Sequence, residues 1–314
     1  MIKRKDLNKR CTIVMYHYVR DMYKTPYPNI KGLLINKFIG QINFILQNYK
    51  LISLNDYIEF LGGEREIPQN SCILTFDDGF KDHYTNVFPI LKRKYIPASF
   101  FPISEPINNS KVSPVHKVHF LLAKIGTKEF VSTFNEILKN NFPELMEKFF
   151  VNGKTKKERK YRWDDPLTAN LKYNIAEMEL KSKDKIVDNI FQRYFKNERE
   201  FSQELYLDWE EMREMIKNGM SFGGHSHTHP KLANLSAQEQ MVELKLSKEI
   251  LERNLKTKIE LLSYPYGNFN ETTIKILRGT GYKCAVTTDT GINEGKTINA
   301  FTLKRLDTND LPCK

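Results

Sequence analysis

Short β-branched runs and amphipathic helical stretches take turns along most of this chain, and that alternation narrows the folds open to it. CTIVMYHYV (11–19), SCILTF (71–76) and IPASFF (96–101) have the length and composition of buried strands. Between them, NKFIGQINFILQNY (36–49) puts Phe38, Ile42, Ile45, Leu46 and Tyr49 at helical spacing. FKDHYTNVFPILKRKY (80–95) does the same with Phe80, Tyr84, Val87, Phe88 and Leu91. The series resumes after residue 206. Asp208 with Glu211, Ser236 with Glu239, and Asn270 mark three helix starts. MSFGGH (220–225), LLSYPYG (261–267), KCAVTT (283–288) and AFTLKRL (300–306) supply further strands. Strand and helix in turn predict an α/β protein with a mainly parallel sheet of six or seven strands. Periodicity alone leaves both an open doubly wound sheet and a barrel in play.

The stretch from about 104 to 206 breaks the alternation. It is rich in Lys, Asn and Glu, helical in pattern at 115–126, 128–140 and 183–196, and carries no clear strand. A structureless connection of that length is improbable in a compact protein. We read 1–314 as one domain interrupted by a largely helical insertion at about 104–206. With 40% hydrophobic residues the chain is globular, and its 49 basic against 38 acidic residues leave a net charge of +11. That balance favours an anionic partner. The signatures of nucleic-acid modules are missing, so nucleic acid is set aside in favour of a phosphate-bearing substrate or a peripheral contact with an acidic membrane. MIKRKDLNKRC has no secretory apolar core, no stretch is long enough to span a bilayer, and Cys11, Cys72, Cys284 and Cys313 are scattered. These features predict a reduced, cytoplasmic protein.

Two strand ends carry unusual chemistry. ILTFDDGF (73–80) finishes a buried run with two adjacent carboxylates, an arrangement that is costly without a partner. GGHSHTHP (223–230) concentrates three of the seven histidines within five residues. His225 and His229 are four apart and can aim at one point from a tight turn, with His227 pointing elsewhere. A divalent cation that activates water needs about three protein ligands and an open position. Two imidazoles and one of the paired aspartates would supply them. A cation beside Asp78 would leave Asp77 free as a general base. In parallel α/β folds such groups gather at the C-terminal ends of strands, where these residues fall.

TFDDG (75–79), HSHTH (225–229) followed by Pro230, and SYPYG (263–267) resemble, in order and spacing, the first three motifs of the polysaccharide deacetylase family. The likeness covers about 1–103 and 207–310. It implies a distorted (β/α) barrel of about seven strands and the metal-dependent removal of N-acyl groups from amino sugars. By the same resemblance, Asp77 is the general base, Asp78, His225 and His229 are the metal ligands, and the backbone N–H of Tyr266 faces the developing oxyanion. One divalent cation is implied, zinc first, with cobalt, manganese, nickel and iron also suited to a His₂Asp site.

The chain departs from the family pattern twice. Ser263 and Tyr264, an aromatic, precede the proline of the third motif where many members have an arginine that holds the base. No histidine follows His229, so the late motif that supplies a histidine acid is missing. His17, in MYHYV at the end of the first strand, is the candidate acid or substrate contact. Arg305, in LKRL, is expected near the site, either orienting Asp77 or pairing with substrate. His116 and His119 are read as structural, KTKKERK (154–160) with Arg162 as a solvated run, and Trp163 and Trp209 as packing residues.

The expected function is therefore a metal-dependent hydrolase that removes an acetyl or formyl group from an amino sugar. A nucleotide- or lipid-linked intermediate of surface-polysaccharide biosynthesis is the expected substrate. The alternatives are a catalytically silent glycan-binding or scaffolding protein on the same fold, and the same machinery acting on a non-sugar amide.

Overall fold

The computed structural model describes residues 9–154 and 164–312. The run KTKKERK beyond Lys154, Arg162, Trp163 and Cys313 lie outside the described residues. In chain order, β1 (Arg10–Tyr16), α1 (Ile35–Asn48), β2 (Lys50–Leu51), α2 (Leu54–Gly62), β3 (Asn70–Asp78), α3 (Phe88–Arg93), β4 (Ser99–Pro102) and α4 (Ser104–Asn109) come first. A helical run follows: α5 (Pro114–Asn141), α6 (Met146–Phe149), α7 (Pro166–Glu177), α8 (Leu180–Tyr194) and α9 (Glu198–Leu205). The chain ends with α10 (Trp209–Lys217), β5 (Ser221–Phe222), α11 (Ala237–Leu255), β6 (Leu261–Ser263), α12 (Glu271–Gly279), β7 (Cys284–Thr290), β8 (Asn293–Glu294) and β9 (Leu303–Asp307).

Seven parallel strands run in the order β5-β4-β3-β1-β9-β7-β6. The two ends of that row meet just beyond β5, where the Gly224 amide donates to Leu261 O at 2.9 Å and the Ser263 amide donates to Gly224 O at 3.0 Å. The result is a nearly closed (β/α) barrel, which settles the choice that periodicity left open. Gly223 is needed at this seam: a Cβ there would lie 2.5 Å from the Phe101 ring and 2.6 Å from Leu261 O.

Strand alternation sorts the side chains into two layers. Val14, Tyr16, Leu74, Phe76, Phe100 and Leu262 belong to the core packed under the helices. Ile13, Ile73, Leu261, Val286 and Leu303 form a second core with Phe101. Two residues further along three of these strands, the second set continues as Thr75 and Asp77, Ser263, and Arg305. A polar layer thus sits on an apolar plug at the C-terminal end of the barrel, the end at which (β/α) barrels work. The capping boxes expected at Asp208–Glu211 and Ser236–Glu239 are formed, and Asn270 makes one with Thr273. Trp209 packs, half-buried, against the helix-facing core, and Cys11, Cys72 and Cys284 are free and buried.

The chain divides into two compact units. The barrel unit holds Met1–Asp21, Gly32–Ser110 and Ser202–Lys314; the helical unit holds Met22–Lys31 and Lys111–Phe201. Helix α4, within the stretch from about 104 to 206, groups with the barrel. The helical unit has its own core: Phe120, Phe191, Phe195 and Phe201 meet ring to ring with Tyr27. Buried Lys117 is balanced by Asp188 at 2.6 Å and Glu198 at 2.8 Å. The ring of His116, fully buried, lies beside that of His119. Among the described residues the metal-competent grouping of His, Cys, Asp or Glu is Asp78 with His225 and His229, and no helix is long and apolar enough to cross a membrane.

Candidate active and metal site

Asp78 ends β3 with its backbone turned to φ 77°, which swings its carboxylate away from the alternation that Asp77 continues. The loop after β5 brings His225 and His229 to meet it. Asp78 Oδ1 stands 3.5 Å from His225 Nε2 and 3.8 Å from His229 Nε2, and the two Nε2 atoms are 3.2 Å apart. The edges of a tetrahedral site with bonds of about 2.0–2.1 Å are roughly 3.3–3.4 Å long. Three buried donors therefore outline one face of such a tetrahedron. His225 Nδ1 donates to Ser263 O at 2.7 Å, which fixes the tautomer and leaves the Nε2 lone pair for a cation. Burial, the largest influence, lowers the pKa of His225 and favours the neutral form a ligand needs. The donor set fits a divalent cation of the zinc type.

The backbone at the site is strained. Asp78 (φ 77°), Ser226 (φ 58°), His229 (φ 63°) and Tyr266 (φ 58°) are all non-glycine residues in the left-handed region. Each such residue costs on the order of 1–3 kcal/mol and persists only where its surroundings hold it. Four of them around one point mark where the fold is spent on geometry. His227, between His225 and His229, points away, its Nδ1 2.9 Å from Ser104 Oγ.

Asp77 faces the other way, into the barrel, 1% exposed. Arg305 Nη1 donates to its Oδ1 at 2.9 Å and Nη2 to its Oδ2 at 2.7 Å. Thr287 O, Thr75 Oγ1 and Ser263 Oγ take the other three guanidinium N–H groups, so all five have acceptors inside the protein. Ser263 Oγ in turn donates to Asp77 Oδ2 at 3.0 Å. Of the two roles open to Arg305, this geometry favours orienting Asp77 over pairing with substrate, because no donor is left over. Burial alone would raise the carboxyl pKa. It is the largest single influence, but the charge and hydrogen bonds of Arg305, with the nearby His225 and His17, together outweigh it and hold Asp77 at about 2, ionised at any physiological pH.

His17 follows β1 and is partly open to solvent, with Nε2 4.0 Å from Asp77 Oδ2. Its loop is tied down by the turn after the DDG segment, a π-helical stretch over His83–Val87. His83 Nε2 lies 3.0 Å from His17 O, Asp82 Oδ2 accepts the Val19 N–H at 3.2 Å, and Asn86 Nδ2 donates to Val19 O at 2.8 Å. A carbonyl only accepts, so His83 carries its proton on Nε2. Burial lowers its pKa to about 4, keeping it neutral. Tyr266 lies in a single 3-10 turn, Pro265–Gly267, whose bonds use the amides of Gly267 and Asn268 and not that of Tyr266. The ring of Tyr266 packs 4.7 Å from that of His229.

All seven sequence-derived site residues thus gather at one end of the barrel. Sequence reasoning missed Thr75 and Ser263, the hydroxyls that share the Arg305 fork, and the Asp82–His83–Asn86 brace under His17. The parity of three strands carried the first signal: Ile73–Thr75–Asp77, Leu261–Ser263 and Leu303–Arg305 each run apolar then polar at steps of two.

The family described as polysaccharide deacetylase matches residues 64–153 and 126–285. Among curated proteins, YxkH of Bacillus subtilis (strain 168), described as a polysaccharide deacetylase, is 36% identical over 86 residues, 27% of this chain and 31% of that protein. The poly-beta-1,6-N-acetyl-D-glucosamine N-deacetylase of Escherichia coli (strain K12) is 28% identical over 89 residues, 28% of this chain and 13% of that protein. The chain therefore aligns with about a third or less of the length of these curated relatives. Among solved structures, the Streptococcus pyogenes deacetylase PplD in complex with acetate superposes with a TM-score of 0.60 at 20% identity, covering 96% of this chain and 92% of that one; it is similar in fold. With the family match spanning more than half its length, the chain belongs to the polysaccharide deacetylase family.

Proposed function

We propose that this protein is a metal-dependent hydrolase that removes an acetyl or formyl group from the nitrogen of an amino sugar. One observation carries the reading: an ionised carboxylate, Asp77, stands beside a His₂Asp cluster without belonging to it, held on its far side by Arg305. The names of the relatives support a carbohydrate N-acyl substrate. Asp78, His225 and His229 would hold the cation, zinc first among divalent ions. When bound, that ion supplies a Lewis acid for the acyl oxygen and acidifies a water.

Asp77 removes the proton from the attacking water. A carboxyl held near 2 is ionised and so free to accept that proton. The Tyr266 amide N–H donates to the acyl oxygen as negative charge grows on it. His17, close to Asp77 and reachable from solvent, passes a proton to the leaving amine. Arg305 keeps Asp77 in one orientation and ionised. The positive charge of the chain favours a phosphate-bearing substrate, a nucleotide- or lipid-linked amino sugar.

The test is a screen of the zinc-loaded chain against N-acyl nucleotide sugars, lipid-linked sugars and N-acetylated polymers, reading acetate or formate release. Release from the linked sugars is expected. Release from polymer alone would overturn the phosphate-bearing substrate, and binding of glycan without release from any of them would favour the silent scaffold.

A further inference from the structure

The loop that presents His225 and His229 is gripped from outside by a residue that touches neither imidazole. Glu243, on α11, is 8% exposed. Its Oε2 accepts two consecutive amides, His227 N–H at 2.9 Å and Thr228 N–H at 2.9 Å, and its Oε1 accepts the Thr228 hydroxyl at 2.7 Å. On the opposite side α4 closes the grip. The Ser104 amide donates to Ser226 O at 3.3 Å, the Glu105 amide to His227 O at 3.0 Å, and Ser104 Oγ meets His227 Nδ1.

We propose that Glu243 is the positioning residue that sets the metal affinity of the site; this rests on the reading of Asp78, His225 and His229 as metal ligands. The reason is conformational. Ser226 and His229, at the two ends of the gripped segment, are held at φ 58° and 63°. A non-glycine residue leaves that region when its restraints go. His227 and Thr228 lie between those two strained positions, so a carboxylate that anchors both amides holds both. Bonds to an ionised acceptor are stronger than neutral ones, so a charged carboxylate suits this task. Without it, relaxation of His229 would carry its imidazole off the point it shares with Asp78 and His225.

The experiment titrates the metal-stripped full chain with Zn²⁺ against a chromophoric chelator, comparing wild type with Glu243→Ala, Glu243→Gln and the α11 surface control Glu249→Gln. Glu243→Ala is expected to weaken Zn²⁺ binding by about 10- to 100-fold, in line with other residues that orient ligands from behind. Glu243→Gln, which keeps an oxygen for the two amides, should recover most of the affinity, and Glu249→Gln should match wild type. In the metal-free state, the His227 and Thr228 amides should exchange hydrogen faster in Glu243→Ala. If that variant does not fold, Thr228→Val removes the hydroxyl bond alone and should cost about five- to tenfold. Zn²⁺ binding by Glu243→Ala within twofold of wild type overturns this inference alone, as does unchanged binding by Thr228→Val where that variant stands in. A wild-type chain that takes up no Zn²⁺ overturns the metal-site reading, and this inference with it.

Discussion

Asp77 and Asp78 are neighbours in the chain, yet the halves of the site around them are built by different physical devices. Around Asp78 the geometry is held by backbone: left-handed residues at Asp78, Ser226 and His229, braced by hydrogen bonds from α4 and α11. Around Asp77 it is held by charge: a buried guanidinium on both carboxylate oxygens, with two hydroxyls and the Thr287 carbonyl taking the remaining donors. The difference follows from what each half would bind. Ligands to a cation must converge and stay ready to share their lone pairs, so they are aimed without being neutralised. A base must stay ionised and in one place, so it is paired. The left-handed turn at Asp78, which breaks the alternation that Asp77 continues, lets one dipeptide do both.

That contrast makes predictions of decreasing size. Asp77→Asn should lower turnover roughly 10²–10⁴-fold while Zn²⁺ uptake is retained. Asp78→Asn should instead lose affinity for the ion, and equal metal loss in both variants would erase the division of labour. Arg305→Met leaves a buried carboxylate unpaired and should destabilise the fold by about 3–5 kcal/mol in urea unfolding; the double variant Asp77→Asn/Arg305→Met should recover much of that. A double variant as unstable as the sum of the two singles would show that the pair does not act as a unit.

The brace beneath His17 gives the pH test. His83 has a folded pKa of about 4 against an ordinary value near 6.5, so below pH 6.5 the unfolded chain gains a proton that the folded one refuses. Stability from this group is complete above that value and is lost as pH falls toward 4, by at most about 3 kcal/mol. His83→Gln should flatten that part of the acid limb, measured by urea unfolding between pH 4 and 7. His17→Ala should slow turnover by about 10²-fold, the low end for a general acid because Asp77 can return the proton, with metal content unchanged. An unchanged rate would move the acid elsewhere.

Much of the site was legible because its chemistry is concentrated. Two aspartates after a buried run and three histidines in five residues are hard to place anywhere but at a cation, and the helix caps at Asp208, Ser236 and Asn270 bounded the elements correctly. Other parts were not legible. The strand read as 300–306 begins only at Leu303, and the one read as 220–225 is a strand only at Ser221 and Phe222, with Gly224 adding an isolated bridge to Leu262, because ladder length depends on what the neighbour offers. Helices α4, α6, α7 and α9 went unread: α4 and α6 are too short to show a period, and α7 buries polar Thr168, Asn170 and Asn174 beside its apolar residues. Glu243 looked like any polar helix position until its carboxylate was seen against the loop.

The residue types and the motif order follow from the sequence alone, since strand parity and local spacing are properties of a chain with fixed backbone geometry. Which acid would meet the imidazoles, where the guanidinium of Arg305 finds its acceptors, and what holds the histidine loop were decided only by closure of the barrel. Those contacts join β3 to β9, β5 to β6 and the loop to α11 across separations that leave no periodic trace, and they depend on burial, which a residue acquires only from its neighbours in space.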